Sequence, residues 1–496
     1  MKRIVRSIAV ASTLLAVAGA ITPVEAQSGG DPDAERIGRI EKGLLPYHVI
    51  AGQPLPTRSI VERMRDYNVP GVSIAVIDGG ELAWARGYGE TEAGGAPVDT
   101  TTLFQAASIS KPVAALAALR LVEDGAIALD EDVNARLRSW KVPESGFTST
   151  EKVTLRRLLS HNAGLTVHGF RGYAAGEPVP SVVQVLDGAT PANSAPVRTD
   201  TVPGSIWRYS GGGTTIVQLL LQDVTGRAFP DLLHALVLEP IGMSASTYQQ
   251  PLPSQRADDA AIGHRSNGAP VEGKWHTYPE MAAAGLWTTP SDLARVAIEV
   301  QRSLRGESNR VLSAKMVREM LTLQAGSYGL GFGLTHSGDS ASFGHGGANE
   351  GFRAQLFAFT ERGQGAAIMT NGDNGGALAT EILRAIAREY RWPAYRVVER
   401  EVAEVDSAIL HEVAGEYTID TAPAAGRTIT VVWQDGELLA ELPFLGRVSL
   451  YPAATDRFFM LQSGAELTFE RDAEGAVARL VLTGLAPTPL SAPRVR

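Results

Sequence analysis

Apolar positions along the chain follow two different periods, and the change from one to the other outlines its organisation. Val72-Ser73-Ile74-Ala75-Val76-Ile77 and Leu82-Ala83-Trp84-Ala85-Arg86-Gly87 flank Asp78-Gly79-Gly80, which predicts a β-hairpin. Just before it, Ser59-Ile60-Val61-Glu62 has the spacing of a capping box and predicts a helix burying Ile60 and Met64. The run from Val113 to Val122 is the most helix-prone apolar segment, and Glu123-Asp124-Gly125 closes it. Between Val153 and about Leu323 the period is helical, predicting helices over 154–159, 214–224, 230–238, 291–304 and 312–323. Strand patterns return over 328–334, 352–359 and 365–369, and Leu378, Ile382, Ile386 and Tyr390 then mark a last amphipathic helix.

Strands at both ends of a helical middle predict an α/β fold: one antiparallel sheet flanked by helices and closed by distant segments, with the middle as a helical lobe. A cleft between sheet and lobe is the expected site. Pro393 stops the last helix. After a linker over 394–405, short alternating runs at 428–433, 437–442, 458–461 and 467–469 predict a separate all-β C-terminal domain over 406–496, a small barrel or sandwich. Residues 1–26 have a basic opening, an apolar run from Ile8 to Ile21 and a small-residue site at Val24-Glu25-Ala26. That order matches a secretory signal peptide, and the run is too short to span a membrane. The expected mature chain is exported, to the periplasm or the medium, without a transmembrane segment. Residues 27–57 read as an N-terminal linker segment, with Ile37, Ile40 and Leu44 supporting an amphipathic turn or two, and 58–393 is the mixed domain.

Composition narrows the chemistry. Hydrophobic content of 44% and charged content of 20% are those of an ordinary globular protein, and 496 residues allow two or three domains. A net charge of −9 carries no basic footprint, so nucleic acid is not an expected partner. With no cysteine, disulfides, thiolate metal sites and a cysteine nucleophile are excluded. No His-Glu-x-x-His and no close His/carboxylate cluster occurs, so neither metal nor cofactor is expected.

Ser108 and Lys111 stand where the most apolar helix begins. Three residues is just under one turn, so a hydroxyl and an amine share a face there, among backbone N–H groups suited to an oxyanion. A second Ser-x-x-Lys, Ser149 to Lys152, lies in a polar run with no buried helix behind it and reads as loop. Farther on, Tyr209-Ser210-Gly211 occupies a loop feeding a helix, and His345-Gly346-Gly347-Ala348 ends a strand.

With these segments in this order, residues 58–393 resemble the serine hydrolases of the class C β-lactamase, DD-peptidase and carboxylesterase family, with the C-terminal domain resembling lipocalin-like appendages of some relatives. Leu158-Leu159-Ser160-His161-Asn162-Ala163-Gly164-Leu165 and Ala284-Gly285-Leu286-Trp287-Thr288-Thr289-Pro290 look like the family's framework. The resemblance implies Ser108 as nucleophile, Lys111 as its activator and Tyr209 as acid/base. It also implies an oxyanion hole from the N–H groups of Ser108 and Ala348, with His345, Gly346 and Gly347 along the substrate. Which of Lys111 and Tyr209 takes the first proton stays open, because coupled groups share a titration. His161 is expected to order its loop.

Two departures bear on the substrate. Gly211 stands where the family has Asn, removing an amide. His345 stands where β-lactamases and DD-peptidases have Lys, and a histidine is mostly neutral at pH 7. The expected activity is therefore hydrolysis of small esters or an unusual amide, a small-molecule or peptide substrate, through an acyl-serine intermediate. A β-lactamase or DD-carboxypeptidase, and a non-catalytic penicillin-recognising sensor, are the alternatives; the oligomeric state is left open.

Overall fold

The computed structural model describes residues 32–335, 338–422, 424–443, 446–485 and 488–495. The expected signal peptide lies outside them. Six strands make the central sheet: β1 (Gly71–Asp78), β2 (Glu81–Gly89), β3 (Gly333–Thr335), β4 (Ser342–Asn349), β5 (Phe352–Phe359) and β6 (Gly365–Thr370). Their order in space is β2-β1-β6-β5-β4-β3, and every neighbouring pair is antiparallel. The hairpin turn has Gly79 and Gly80 at φ +60° and +77°, the left-handed geometry that a two-residue turn between twisted strands requires.

In chain order, the helices that set the layers are α1 (Pro32–Glu41), α2 (Ile60–Asp66), α3 (Ser110–Glu123), α4 (Gly211–Thr225), α5 (Pro290–Leu304) and α6 (Gly375–Glu389). Alternation along β1 distributes its side chains to two cores. Val72, Ile74 and Val76 join Leu378, Ile382 and Ile386 of α6, whereas Ala75 and Ile77 join Leu293, Val296 and Val300 of α5. Because both faces are covered, β1 is buried over all but its last residue. The α5 side continues into the helical lobe, where α3 is buried all round apart from Arg120, Val122 and Glu123.

Two local differences from the sequence reading have physical causes. The strand expected over 328–334 is confined to Gly333–Thr335. Gly329 lies so close to the end of the preceding helix that an added Cβ would sit 2.2 Å from Met320 O, and Gly331 takes φ +100°, so the chain turns here. The stretch read as an amphipathic turn or two is a ten-residue helix, α1, which buries Ile37 and Ile40, with Leu44 beyond its end, against the α6 layer.

Beyond α7 (Ser407–Val413), eight strands from Gly415–Thr418 to Leu490–Pro493 pair antiparallel in sequence order. The last returns to the first, Val495 N–H donating to Glu416 O at 2.8 Å, so the sheet is a nearly closed barrel filled by Tyr417, Ile429, Phe458, Leu467 and Phe469. A two-stranded parallel sheet joins His48–Ile50 to Val398–Arg400. The His48 N–H reaches Leu461 O at 2.9 Å, and Arg400 pairs with Glu466 at 2.8 Å, tying that small sheet to the barrel. Among the described residues no helix is long and apolar enough to cross a membrane.

Candidate active site

The segment leading into α3 is pinned before any chemistry is considered. Phe104–Gln105 pairs with Trp287–Thr288, the Ser110 hydroxyl accepts Leu286 N–H at 2.9 Å, and Tyr248 O–H donates to Ser110 O at 2.7 Å. Ala107 is held at φ +50°, a left-handed conformation costing an L-residue roughly 1 kcal/mol. The strained residue opens a short 3-10 turn, Ala107–Ile109, and the α-helix begins only at Ser110. Ser108 thus sits on a tight turn, half-exposed between buried neighbours.

Lys111 is buried, and its Nζ donates to Ser108 Oγ at 2.9 Å and to Ala283 O at 2.7 Å. Among the described residues no carboxylate pairs with it, and burial pushes its pKa down to about 7. Its Nζ also lies 5.0 Å from the centroid of the Tyr209 ring. Burial raises the Tyr209 phenol above its ordinary value, with a hydrogen bond to Ser108 drawing it partly back. The resting site therefore holds an un-ionised phenol beside an amine that gives up its proton near neutrality.

Gly347 explains how β4 reaches the turn that carries Ser108. A Cβ on it would lie 2.2 Å from Ala106 O, so only glycine permits that approach. His345 is buried, with Nδ1 2.6 Å from Gly346 O and Nε2 3.4 Å from the Tyr328 hydroxyl. A carbonyl can only accept, so Nδ1 carries the hydrogen and Nε2 is left to accept from Tyr328. Burial, reinforced by the nearby Lys111, lowers the His345 pKa to about 4.

Ser108, Lys111, Tyr209, His345, Gly346, Gly347 and Ala348 all line one cavity of about 660 Å³. The second Ser-x-x-Lys contributes nothing to it; Lys152 pairs with Glu144 at 3.3 Å instead. Sequence reasoning missed Tyr328, Trp207 and Phe170, which give the cavity an aromatic wall, and Ala283, whose carbonyl holds the lysine. Trp207 stacks on Tyr328 with centroids 5.4 Å apart. Tyr328 had a signal, an aromatic before a glycine-rich run, but it was absorbed into an expected strand. At Gly211 the structure shows why a side chain is absent: an added Cβ would meet His168 O and the Phe170 ring, both at 3.1 Å. Among the described residues no group of His, Asp or Glu is placed to hold a metal.

Comparison with known proteins gives a consistent set of similarities. Residues 57–390 match the family described as Beta-lactamase. The chain is 26% identical over 369 residues to "Penicillin-binding protein 4" of Amycolatopsis lactamdurans, covering 71% of this chain and 94% of that protein. It is 33% identical over 198 residues to "Esterase EstB" of Burkholderia gladioli, 37% of this chain and 48% of the esterase. In fold it is similar to the octameric penicillin-binding protein homologue from Pyrococcus abyssi, with TM-score 0.57 and 20% identity over 87% of this chain and 98% of that one. The D-amino acid amidase from Ochrobactrum anthropi SV3 gives TM-score 0.55 at 21% identity, over 67% and 98%.

Proposed function

The chain belongs to the Beta-lactamase family, and on that premise we propose that it is an exported serine hydrolase cleaving small esters, or an unusual amide, through an acyl-serine intermediate. The observation that carries this reading is the desolvated Lys111 amine 2.9 Å from Ser108 Oγ, in a cavity whose strand position 345 has no fixed charge.

The protons are then accounted for. Ser108 Oγ attacks the substrate carbonyl while its proton passes to neutral Lys111. Tyr209, protonated at rest, gives its proton to the leaving oxygen or nitrogen as the acyl bond breaks. A water then loses a proton to the Tyr209 phenolate and attacks the acyl carbon. The Ser108 alkoxide leaves by taking back the proton from Lys111, which regenerates the site and releases the acid. The choice of Lys111 as the first base is supported by the opposite directions of the two shifts, down for the amine and up for the phenol. Register supports the oxyanion hole. Asn349 and Phe352 close the β4–β5 hairpin, so Ala348, one pair inward, turns its peptide group away from β5, and Ala348 and Ser108 line the same cavity.

Ester preference follows from the neutral His345 and from Gly211, since neither offers the charge or the amide expected for a carboxylate-bearing acylamido substrate. The test compares turnover of a short-chain nitrophenyl ester with that of a chromogenic cephalosporin, in the parent and in Ser108→Ala. Faster cephalosporin hydrolysis that vanishes in the variant would overturn the preference. A lasting penicillin adduct without turnover of any ester would replace the enzyme by a sensor.

A further inference from the structure

At the opposite end of α6 from the active-site cavity lies a second cavity of about 420 Å³, a volume in the range of small-molecule sites. Leu45, Val49, Leu55 and Trp392 give it an apolar floor and wall, and four arginines, Arg384, Arg388, Arg391 and Arg396, surround it. We propose that this groove binds a single-chain amphiphile with a carboxylate head, the class of a free fatty acid.

Charge makes the first case. Arg384 is 5% exposed, yet among the described residues no carboxylate lies within ion-pair distance of it. Its guanidinium donates to Leu45 O at 3.3 Å and lies over the face of the Tyr47 ring at 5.3 Å. The nearby Glu381 is committed to Arg63 and to the Tyr67 hydroxyl. Glu381 reaches Arg384 only through a longer-range Coulombic attraction; buried charges are ordinarily paired, so a guanidinium without a contacting carboxylate beside a cavity points to an anion that completes it. Arg388, one helical turn on, shares its face, and Glu399 is the only acid on the lining. The other acid close by, Glu389, is held by Arg39 at 2.8 Å.

Backbone geometry makes the second case. Helix α6 ends in a Schellman motif, with Trp392 N–H donating to Ala387 O at 2.8 Å and Arg391 N–H to Arg388 O at 3.4 Å. The left-handed position of that motif favours glycine, but here it is Arg391, at φ +53°. Tyr395, also on the lining, is at φ +54°. Two non-glycine residues held in this conformation within five positions aim the segment at the cavity, at a cost in stability that a bound ligand would offset. Trp392 contributes a buried indole N–H with no partner among the described residues. A carboxylate meets the guanidinium fork, and an alkyl chain suits the Leu, Val and Trp surface below it.

The test is displacement of dansyl-undecanoate from the full chain by dodecanoate at micromolar concentration, with dodecanol as the uncharged control. Dodecanoate is expected to displace the probe, and dodecanol to be about tenfold weaker for want of the charge-assisted contact. Arg388→Glu combined with Arg391→Gly is expected to weaken dodecanoate by about tenfold or more while leaving nitrophenyl-ester turnover unchanged. Arg391→Gly alone relieves the left-handed strain, so it should raise the melting temperature while weakening binding, which separates loss of the site from loss of the fold. Equal affinity for dodecanol, no displacement by dodecanoate, or unaltered binding in the double variant would each overturn the proposal. Co-sedimentation with phosphatidylglycerol vesicles, abolished in the double variant, would assign the arginines to a membrane surface and overturn it as well.

Discussion

The imidazole of His161 lies against the ring of Tyr209, centroids 4.3 Å apart and planes 36° from parallel, and its Nδ1 accepts the Ser210 N–H at 3.3 Å. Nδ1 is therefore the unprotonated nitrogen, consistent with a pKa held well below the usual value by burial and by the Lys111 charge. His161 itself sits at φ +59°, so its loop is built around this contact. In the proposed reaction this contact would hold the phenol in place. Replacing His161 by Phe keeps the stacking but leaves the Ser210 N–H unpaired, so kcat should fall by about tenfold with KM little changed. Steady-state kinetics on a nitrophenyl ester check this, and a fall confined to KM would count against it.

The pH profile should belong to Lys111. With its pKa at about 7, kcat/KM should rise about tenfold per pH unit below that value and level off above it. Lys111→Arg cannot supply a neutral base, and activity should drop by about a thousandfold and lose the acid limb. The same shift has a stability sign. Between about 7 and the ordinary 10.5 the unfolded chain holds a proton that the folded chain has lost, so this site's contribution to stability rises with pH across that window. A limb near 5, or an arginine variant that keeps the parent profile, would dismiss the assignment.

Gly346 and Gly347 of β4 should respond very differently to a methyl group. Gly347→Ala would drive a Cβ to within 2.2 Å of the Ala106 carbonyl oxygen, forcing the strand off the nucleophile turn. Activity should be nearly lost, and stability should fall by about 1–3 kcal/mol, as for other overpacked sites. Gly346→Ala meets only the movable Gln355 Oε1, at 3.3 Å, and should keep most of both. Urea melts and ester turnover of the pair decide the matter.

A charge can be restored at position 345. His345→Lys places a cation near Lys111, so the Lys111 pKa should fall further and the acid limb should move below 7, since like charges disfavour each other's ionised form. The ratio of cephalosporin to ester turnover should rise by about tenfold, the size of one added ion pair to a substrate carboxylate. An unchanged ratio would mean that position 345 does not meet the substrate carboxylate.

The legible features of the sequence were those carried by local signals. The capping box at Ser59 and Glu62 forms with both of its reciprocal hydrogen bonds, and the hairpin at Gly79-Gly80 forms where glycine permits its turn. Ser108 and Lys111 stood out because an amine leading the most helix-prone apolar run is conspicuous. What stayed hidden depends on approach between distant segments. β4 was read only at its end, His345 to Ala348, because three glycines among its eight residues leave little alternation to mark where it begins. The Ala283 carbonyl that receives Lys111 is a backbone atom, invisible in any residue pattern. Tyr328 was placed on a strand because the turn at Gly329 and Gly331 is imposed by contact with the end of another helix.

The parallel pairing of His48–Ile50 with Val398–Arg400 has a practical consequence for anyone cutting this gene. An expression clone trimmed to the family-matching residues 57–390 would delete Ile37, Ile40 and Leu44 from beneath α6 and discard Trp392 from the same layer. One trimmed only at the front would leave Val398–Arg400 as a bare edge, open to strand exchange between molecules. Both fragments should collect as aggregates on a sizing column, whereas a clone beginning at Pro32 keeps α1 and the His48–Ile50 strand and should elute as a discrete species.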